Sequence, residues 1–198
     1  MLDRLTFSAS VEIRAEAALV FALVSDLRRK ARLNPNIRVI RVELEGEEPV
    51  REGSVFYHRF QRETRIMEYR SRCVRCIPPR LFESRGETDP PFEVRVIVEP
   101  VPGGCRLTQE ETLEVTPDLI DAMEPPPGAQ TFRDVMRLLP LFPGARPLES
   151  EIRALQRARL RRKLTAELET WLDAIGKHVE VGGRASSPEA TLSPKGRV

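Results

Sequence analysis

The chain has 198 residues, of which 40% are hydrophobic and 31% charged, a composition typical of a globular protein with its own core. Its 32 basic and 30 acidic residues leave a net charge of +2, so no overall field would attract nucleic acid. The longest apolar run, residues 17–24, is shorter than the roughly 20 residues that span a bilayer, and the start lacks the apolar stretch of a signal peptide. We therefore predict a cytoplasmic protein that does not bind nucleic acid, with transient membrane contact and oligomeric state left open.

The three cysteines are too few, and odd in number, for a domain held together by disulfides. Cys73 and Cys76 form a C-x-x-C pair inside a strand-like run, without a second ligand pair or a nearby histidine. The sequence also lacks a glycine-rich phosphate loop, a nucleophile elbow and a metal-binding helix motif. We therefore predict no metal site and no cofactor, and we interpret the cysteines as core or surface thiols.

The first part of the chain predicts a strand followed by helix. Residues 7–13 alternate between apolar and polar, which is the period of a half-buried strand. Residues 15–27 then change to helical spacing, and a short basic stretch leads to Asn34, Pro35 and Asn36. Because the residue before a proline disfavours helix, a second short helix or turn should end before Pro35.

Six further strand-like runs follow, separated by turns rich in glycine and proline. They are residues 37–44, 54–61, 64–76, 81–86, 92–99 and 105–115. Short connections between consecutive strands favour an antiparallel meander over parallel crossovers.

Residues 148–177 carry the longest helical pattern of the chain. One face of this helix holds the apolar side chains of Leu160, Leu164, Leu168, Trp171 and Ile175. The apolar residues of its first half lie on a rotated face, so the helix either kinks near Arg157 or packs its two halves against different surfaces. After residue 179 glycine, serine and proline increase, and we predict a disordered tail over 180–198.

Several short sequence segments resemble those of a known superfamily. They are VEIRA at 11–15, VFALVSDL at 20–27, GSV at 53–55, PPRL at 78–81 and GGCRLT at 103–108. With the order of elements, they resemble the START-like, or SRPBCC, superfamily, and most closely its polyketide cyclase/dehydrase branch. The resemblance implies an α+β helix-grip domain over residues 1–179, with a curved antiparallel sheet of about seven strands wrapped around the C-terminal helix. It also implies a cavity between the sheet and the helix, which is the candidate functional site.

A proline-rich insertion, residues 117–147, separates the last strand from the long helix. Its apolar residues predict either a loop that packs against the body or a lid over the cavity mouth. We expect residues 131–142 to dock on Leu148, Ile152 and Leu155 as a flap beside the cavity entrance.

Alternation along the strands and the apolar face of the helix nominate the residues that line the cavity. They are Val55, Tyr57, Arg59, Leu107, Gln109, Glu111, Leu113, Leu164, Leu168 and Trp171. Glu111 either pairs with an arginine such as Arg59 or acts as an acid whose pKa is raised by burial. The same alternation predicts that His58 points outward. The basic run at 157–163 is interpreted as a solvated helix face.

Three functions fit these observations. The first is binding or transport of a small hydrophobic ligand such as a lipid, an isoprenoid or a polyketide-like compound, and the absence of a catalytic cluster favours it. The second is an aromatase/cyclase-type enzyme without a cofactor, in which Glu111, Arg59 and Tyr57 polarise a polyketide-like substrate. The third is a protein-interaction module whose lumen is filled.

Overall fold

The structure is a computed structural model that describes residues 3–116, residue 120 and residues 146–185. Residues 3–116 and 146–185 contain seven strands and three helices. The strands are β1 (Asp3–Ile13), β2 (Arg38–Glu45), β3 (Val55–Arg62), β4 (Arg65–Ile77), β5 (Leu81–Gly86), β6 (Phe92–Val101) and β7 (Gly104–Val115). The helices are α1 (Ala17–Ser25), α2 (Leu27–Ala31) and α3 (Arg146–Ala185).

The seven strands form one antiparallel sheet in the order β1-β7-β6-β5-β4-β3-β2. Strands β2 to β7 follow one another as a meander, which confirms the prediction from their short connections. The first strand returns beside the last, with a register that runs from Asp3 opposite Val115 to Ile13 opposite Cys105. The curved sheet, the long C-terminal helix and the two short helices after β1 confirm the helix-grip fold.

Helix α3 packs against β1, where Gly176 approaches the side chains of Val11 and Ile13. Its buried face comprises Gln156, Leu160, Leu164, Leu168, Leu172, Ile175 and Val179. This stripe follows the i, i+4 spacing of one helix face and contains most of the predicted residues, while Trp171 is only half-buried. The packing that the sequence predicts for the second half of this helix is therefore present.

The helix extends past residue 179, after which the sequence predicted a disordered tail. It continues through Gly182 and Gly183 to Ala185, because glycine lowers helix propensity by only about 1 kcal/mol and does not forbid the conformation. Residues 186–198, the rest of the expected tail, lie outside the described residues. The same is true of the segment 131–142, so its docking stays a prediction, although Leu155 is 61% exposed.

The two short helices meet at Asp26, which caps α2. One carboxylate oxygen of Asp26 accepts hydrogen bonds from the backbone N–H of Arg28 (3.0 Å) and from its guanidinium (2.9 Å). The first helix contacts β6 and β7, and the second contacts β2. In α2 the buried positions include Lys30 and Ala31, so a member of the basic stretch faces the interior.

Surface features of the helices bear on two other predictions. Among the helices that the structure describes, none combines the length and the apolar character needed to cross a bilayer. In the basic run of α3, Arg161, Arg162 and Lys163 are exposed whereas Leu160 is buried. These charges therefore lie on a solvated face.

Candidate functional site

A cavity of about 210 Å³ lies between the sheet, α2 and α3. It draws side chains from all seven strands, from the segment after α2 and from the middle of α3. Its apolar and aromatic lining residues are Phe7, Leu27, Ala31, Ile37, Val42, Phe60, Tyr69, Phe92, Val94, Leu164, Leu168 and Trp171. Its other lining residues are Lys30, Asn34, Asn36, His58, Arg62, Ser71, Ser84, Gln109, Glu111 and Glu167.

The cavity contains five of the predicted lining residues. They are Gln109 and Glu111 from β7 and Leu164, Leu168 and Trp171 from α3. On β7 the residues predicted to face inward do face inward. Leu107 is completely buried in the core and Leu113 packs against the core, so neither residue borders the cavity. The open space therefore borders only the middle of β7.

The predicted alternation on β3 is the reverse of that in the structure. Val55, Tyr57 and Arg59 do not line the cavity, so the prediction for these three residues is wrong. The contacts of Tyr57 and Arg59 on the outer face of the sheet explain why. There the Tyr57 ring lies near the guanidinium groups of Arg41 and Arg70, at 5.6 and 5.8 Å, while Arg59 lies 3.8 Å from a carboxylate oxygen of Glu68. Charged side chains keep solvent contact there, so the other set of β3 residues is buried.

That other set includes His58, which the sequence placed outward and the structure buries to 6% exposure. Its Nε2 shares a hydrogen bond of 2.8 Å with the hydroxyl of Ser71 on the neighbouring strand. Burial, together with the positive charge of Lys30, lowers the pKa of His58 to about 4. His58 is therefore a neutral ring in the cavity wall at neutral pH.

Aromatic rings from three strands continue this wall. The His58 ring stacks on Tyr69 at a centroid distance of 4.6 Å, and Tyr69 meets the edges or faces of Phe60 and Phe92 at 5.9 and 5.1 Å. The Phe92 ring lies directly against Gly86, where any Cβ would collide with it. Gly86 thus allows Phe92 to occupy its position in the cavity wall.

Lys30 is one of three charged lining residues that the sequence pattern did not predict, together with Arg62 and Glu167. It is 2% exposed, and its Nζ lies 4.8 Å from the centre of the Trp171 ring, whose indole N–H donates to the Lys30 carbonyl at 3.2 Å. Burial lowers the pKa of Lys30 to about 8, although the charge of Glu111 acts in the opposite direction. A usable signal was the i, i+3, i+4 spacing of Leu27, Lys30 and Ala31, which places the lysine on the apolar face of α2.

Glu111 provides the opposite charge in the cavity. Its carboxylate accepts a hydrogen bond from the Gln109 side-chain amide at 2.5 Å. Arg59, the partner in one of the two alternatives for Glu111, pairs with Glu68 instead. Burial raises the pKa of Glu111, while Lys30 and the Gln109 hydrogen bond counteract the increase. The amide oxygen of Gln109 is buried and accepts no hydrogen bond from the described residues.

An ion pair borders the cavity where it approaches solvent. One guanidinium nitrogen of Arg62 lies 2.6 and 2.8 Å from the two carboxylate oxygens of Glu167, and the two side chains are 33% and 28% exposed. The amide of Asn36 donates to the backbone carbonyl of Glu167 at 2.9 Å. These contacts connect β3 and the segment after α2 to α3.

The cysteines lie outside this cavity lining. Cys73, Cys76 and Cys105 are free thiols, and burial raises the pKa of Cys73 to about 12. Within the described ranges, histidine, cysteine and acidic side chains form no group of three that could hold a metal ion.

Several solved structures have a fold similar to that of this chain. The di-domain ARO/CYC StfQ from the steffimycin biosynthetic pathway has a TM-score of 0.62 and 16% identity over 93% of this chain. Truncated norcoclaurine synthase from Thalictrum flavum has a TM-score of 0.54 and 15% identity, over 90% of this chain and 94% of its own. Ara h 8.0201 has a TM-score of 0.54 and 13% identity, over 89% of this chain and 98% of its own.

At these identities the likeness concerns the fold alone. The chain spans 52% of StfQ and 49% of the di-domain ARO/CYC BexL, or about half of each. No curated protein matches the chain in sequence. Residues 4–139, however, match a family described as polyketide cyclase / dehydrase and lipid transport. Because this match covers more than half of the chain, the protein belongs to that family.

Proposed function

We propose that the protein binds a small, largely apolar ring compound in its internal cavity, with the polar end of the ligand beside Lys30 and Glu111. The observation that supports this most directly is the division of one cavity into an aromatic wall and a buried polar group. Such a lining, mostly apolar with a few converging polar side chains, is typical of small-molecule sites. A filled lumen, which an interaction module would require, does not agree with the open volume of about 210 Å³.

The size of the cavity limits the range of ligands that can bind. A volume of about 210 Å³ is below the roughly 300–1,000 Å³ of sites for drug-sized molecules. It suits a ligand of one or two rings better than a long lipid chain. His58, Tyr69 and Phe92 line the cavity with aromatic rings against which such a ligand can pack.

Two measurements test this proposal. Mass spectrometry of the material released when the purified protein is denatured should detect a reproducible small apolar compound. Titration with 2-naphthylmethanol should quench the fluorescence of Trp171, the sole tryptophan of the chain, because that residue lines the cavity. Failure to release a ligand, together with an unchanged Trp171 signal, would contradict the proposal.

The variant Glu111→Gln should change the charge preference of the cavity. It removes a negative charge while Lys30 remains, so we expect 2-naphthoate to bind roughly tenfold more tightly, a gain of about 1.4 kcal/mol. The neutral 2-naphthylmethanol should bind with an affinity within about threefold of wild type. Trp171 fluorescence titrations measure both, and unchanged 2-naphthoate affinity alongside altered stability would show that Glu111 has only a structural role.

A second candidate function is acid–base catalysis of the cyclase type. The observation in its favour is that Glu111, with a raised pKa, and Lys30, with a lowered pKa, face one cavity. A bicyclic ketone such as 2-tetralone would report it through exchange of its α-protons in D₂O. Acceleration that Glu111→Gln reduces by about 100-fold or more would favour the enzyme, and binding without acceleration would favour the carrier.

A further inference from the structure

Lys30 lines the cavity, where the charge of Glu111 attracts it without a hydrogen bond or ion pair between the two side chains. Its ammonium group makes no hydrogen bond or ion pair with any residue whose position the structure describes. The contacts that hold it are the face of the Trp171 ring, 4.8 Å from Nζ, and the indole N–H that binds the Lys30 carbonyl. The backbone of Lys30 is thus fixed while the hydrogen-bonding capacity of its amine is unused.

The identity of this residue is informative, because the chain uses arginine almost everywhere else. Only four of its 32 basic residues are lysines, at positions 30, 163, 177 and 195. A buried arginine would stay protonated, whereas a buried lysine can release its proton and become a nucleophilic amine. Burial lowers the pKa of Lys30 to about 8, so the neutral amine is populated near neutral pH.

We propose that Lys30 binds an aldehyde or ketone ligand covalently, as an imine, an inference that rests on the proposed ligand-binding function of the cavity. The ring of the ligand would lie against the wall of His58, Tyr69 and Phe92, and its carbonyl carbon would face Nζ. This deepens the proposed function, because it assigns a carbonyl group to the polar end of the ligand.

The reaction requires no reagent beyond the protein and the ligand. The Lys30 nitrogen forms a bond to the carbonyl carbon, and a proton moves from nitrogen to the former carbonyl oxygen to give a carbinolamine. The carboxyl group of Glu111 then donates a proton as the C–O bond breaks, and water leaves. The resulting carboxylate accepts the proton from nitrogen, so one amine and one carbonyl become one imine and one water.

Glu111 suits this role because it lines the same cavity and because burial raises the pKa of its carboxyl group. The Gln109 amide holds the carboxylate through a hydrogen bond. Glu111 therefore has a fixed position from which it can exchange a proton with a group bound at Lys30.

The test is reductive trapping of the full chain with 2-naphthaldehyde and sodium cyanoborohydride, which reduces an iminium ion to a stable amine. At about pH 7 peptide mapping should locate a naphthylmethyl group on Lys30, and the α-amino group, whose pKa in water is about 8, is quantified separately in the same map. We expect modification there at least about tenfold faster than at the other lysines, since an amine in water is almost fully protonated. Lys30→Met should abolish the rapid modification, whereas the control Lys177→Met, at an exposed site on α3, should retain it.

The alcohol 2-naphthylmethanol separates this inference from the proposed function, because it fits the same cavity but cannot form an imine. If it quenches Trp171 fluorescence while 2-naphthaldehyde gives no preferential adduct on Lys30, the imine is excluded and non-covalent binding stands. If neither compound binds, both proposals fail. Circular dichroism checks that Lys30→Met is folded, and the wild-type peptide map decides the question even if that variant does not fold.

Discussion

Replacing Lys30 by methionine is expected to raise the free energy of unfolding by roughly 1–3 kcal/mol at about pH 7. Burial is the largest influence on this group, and it lowers the pKa of Lys30 from 10.5 to about 8. Between these two values the unfolded chain binds a proton that the folded protein does not, so stability increases with pH across that window. Below about pH 8 the folded protein bears the full cost of the buried charge, which methionine removes while filling a similar volume.

Urea denaturation at about pH 7 and about pH 10 measures this effect. The difference in free energy of unfolding between Lys30→Met and wild type should become smaller as pH rises, because the wild-type lysine loses its charge. The double variant Lys30→Met/Glu111→Gln is the control, since it also removes the carboxylate that would otherwise lose its nearby cation. The prediction is contradicted if Lys30→Met is less stable than wild type at pH 7 and the double variant is no more stable than Lys30→Met. In that case the attraction between Lys30 and Glu111 outweighs the cost of burying the lysine charge.

Acidification should remove roughly 3 kcal/mol more stability from wild type than from His58→Gln between about pH 7 and about pH 4. Burial lowers the pKa of His58 from 6.5 to about 4, so in this interval the unfolded chain takes up a proton that the folded protein excludes. The His58 contribution is therefore complete above about pH 6.5 and is lost as pH falls to about 4. Glutamine retains a polar group near the position of Nε2 for the hydrogen bond to Ser71.

The comparison with the variant is necessary because Glu111 acts in the opposite direction. Its raised pKa means that the folded protein takes up a proton before the unfolded chain does, which adds stability as pH falls. Both proteins contain Glu111, so the difference between their urea denaturation curves isolates His58. Equal losses of stability in the two proteins would show that His58 is not buried as a neutral ring.

A buried lysine that lowers stability is typical of a functional position. The chain has 28 arginines and four lysines, yet within residues 3–116 and 151–182 the fully enclosed cation is a lysine. Natural proteins tolerate such local costs where chemistry needs them, because ligand binding offsets part of the cost. We therefore expect Lys30→Met both to stabilise the protein and to abolish covalent binding, because the buried amine is responsible for both effects.

The alternation of a strand shows how far local pattern can identify a site. On β7 the inward set was recognisable, because Leu107 and Leu113 mark one face of the strand and Gln109 and Glu111 share it. On β3 both faces carry aromatic or apolar residues, so alternation alone could not separate them. The arginine at position 59 was the available signal, since an unpaired guanidinium is costly in a cavity wall.

The sequence by itself determined the order of elements, the antiparallel meander and the apolar face of the long helix, because these follow from periods of two and 3.6 residues along neighbouring positions. Only the tertiary structure decided which face of β3 turns inward and which member of the basic stretch is buried. Both depend on residues distant in the chain: Tyr57 lies outside because it meets Arg41 and Arg70, and Lys30 lies inside because α2 is closed over by Trp171. Pairing across strands and helices sets the burial of a charge. The local signals, Arg59 on β3 and the spacing of Leu27, Lys30 and Ala31 on α2, favour one face but do not fix it.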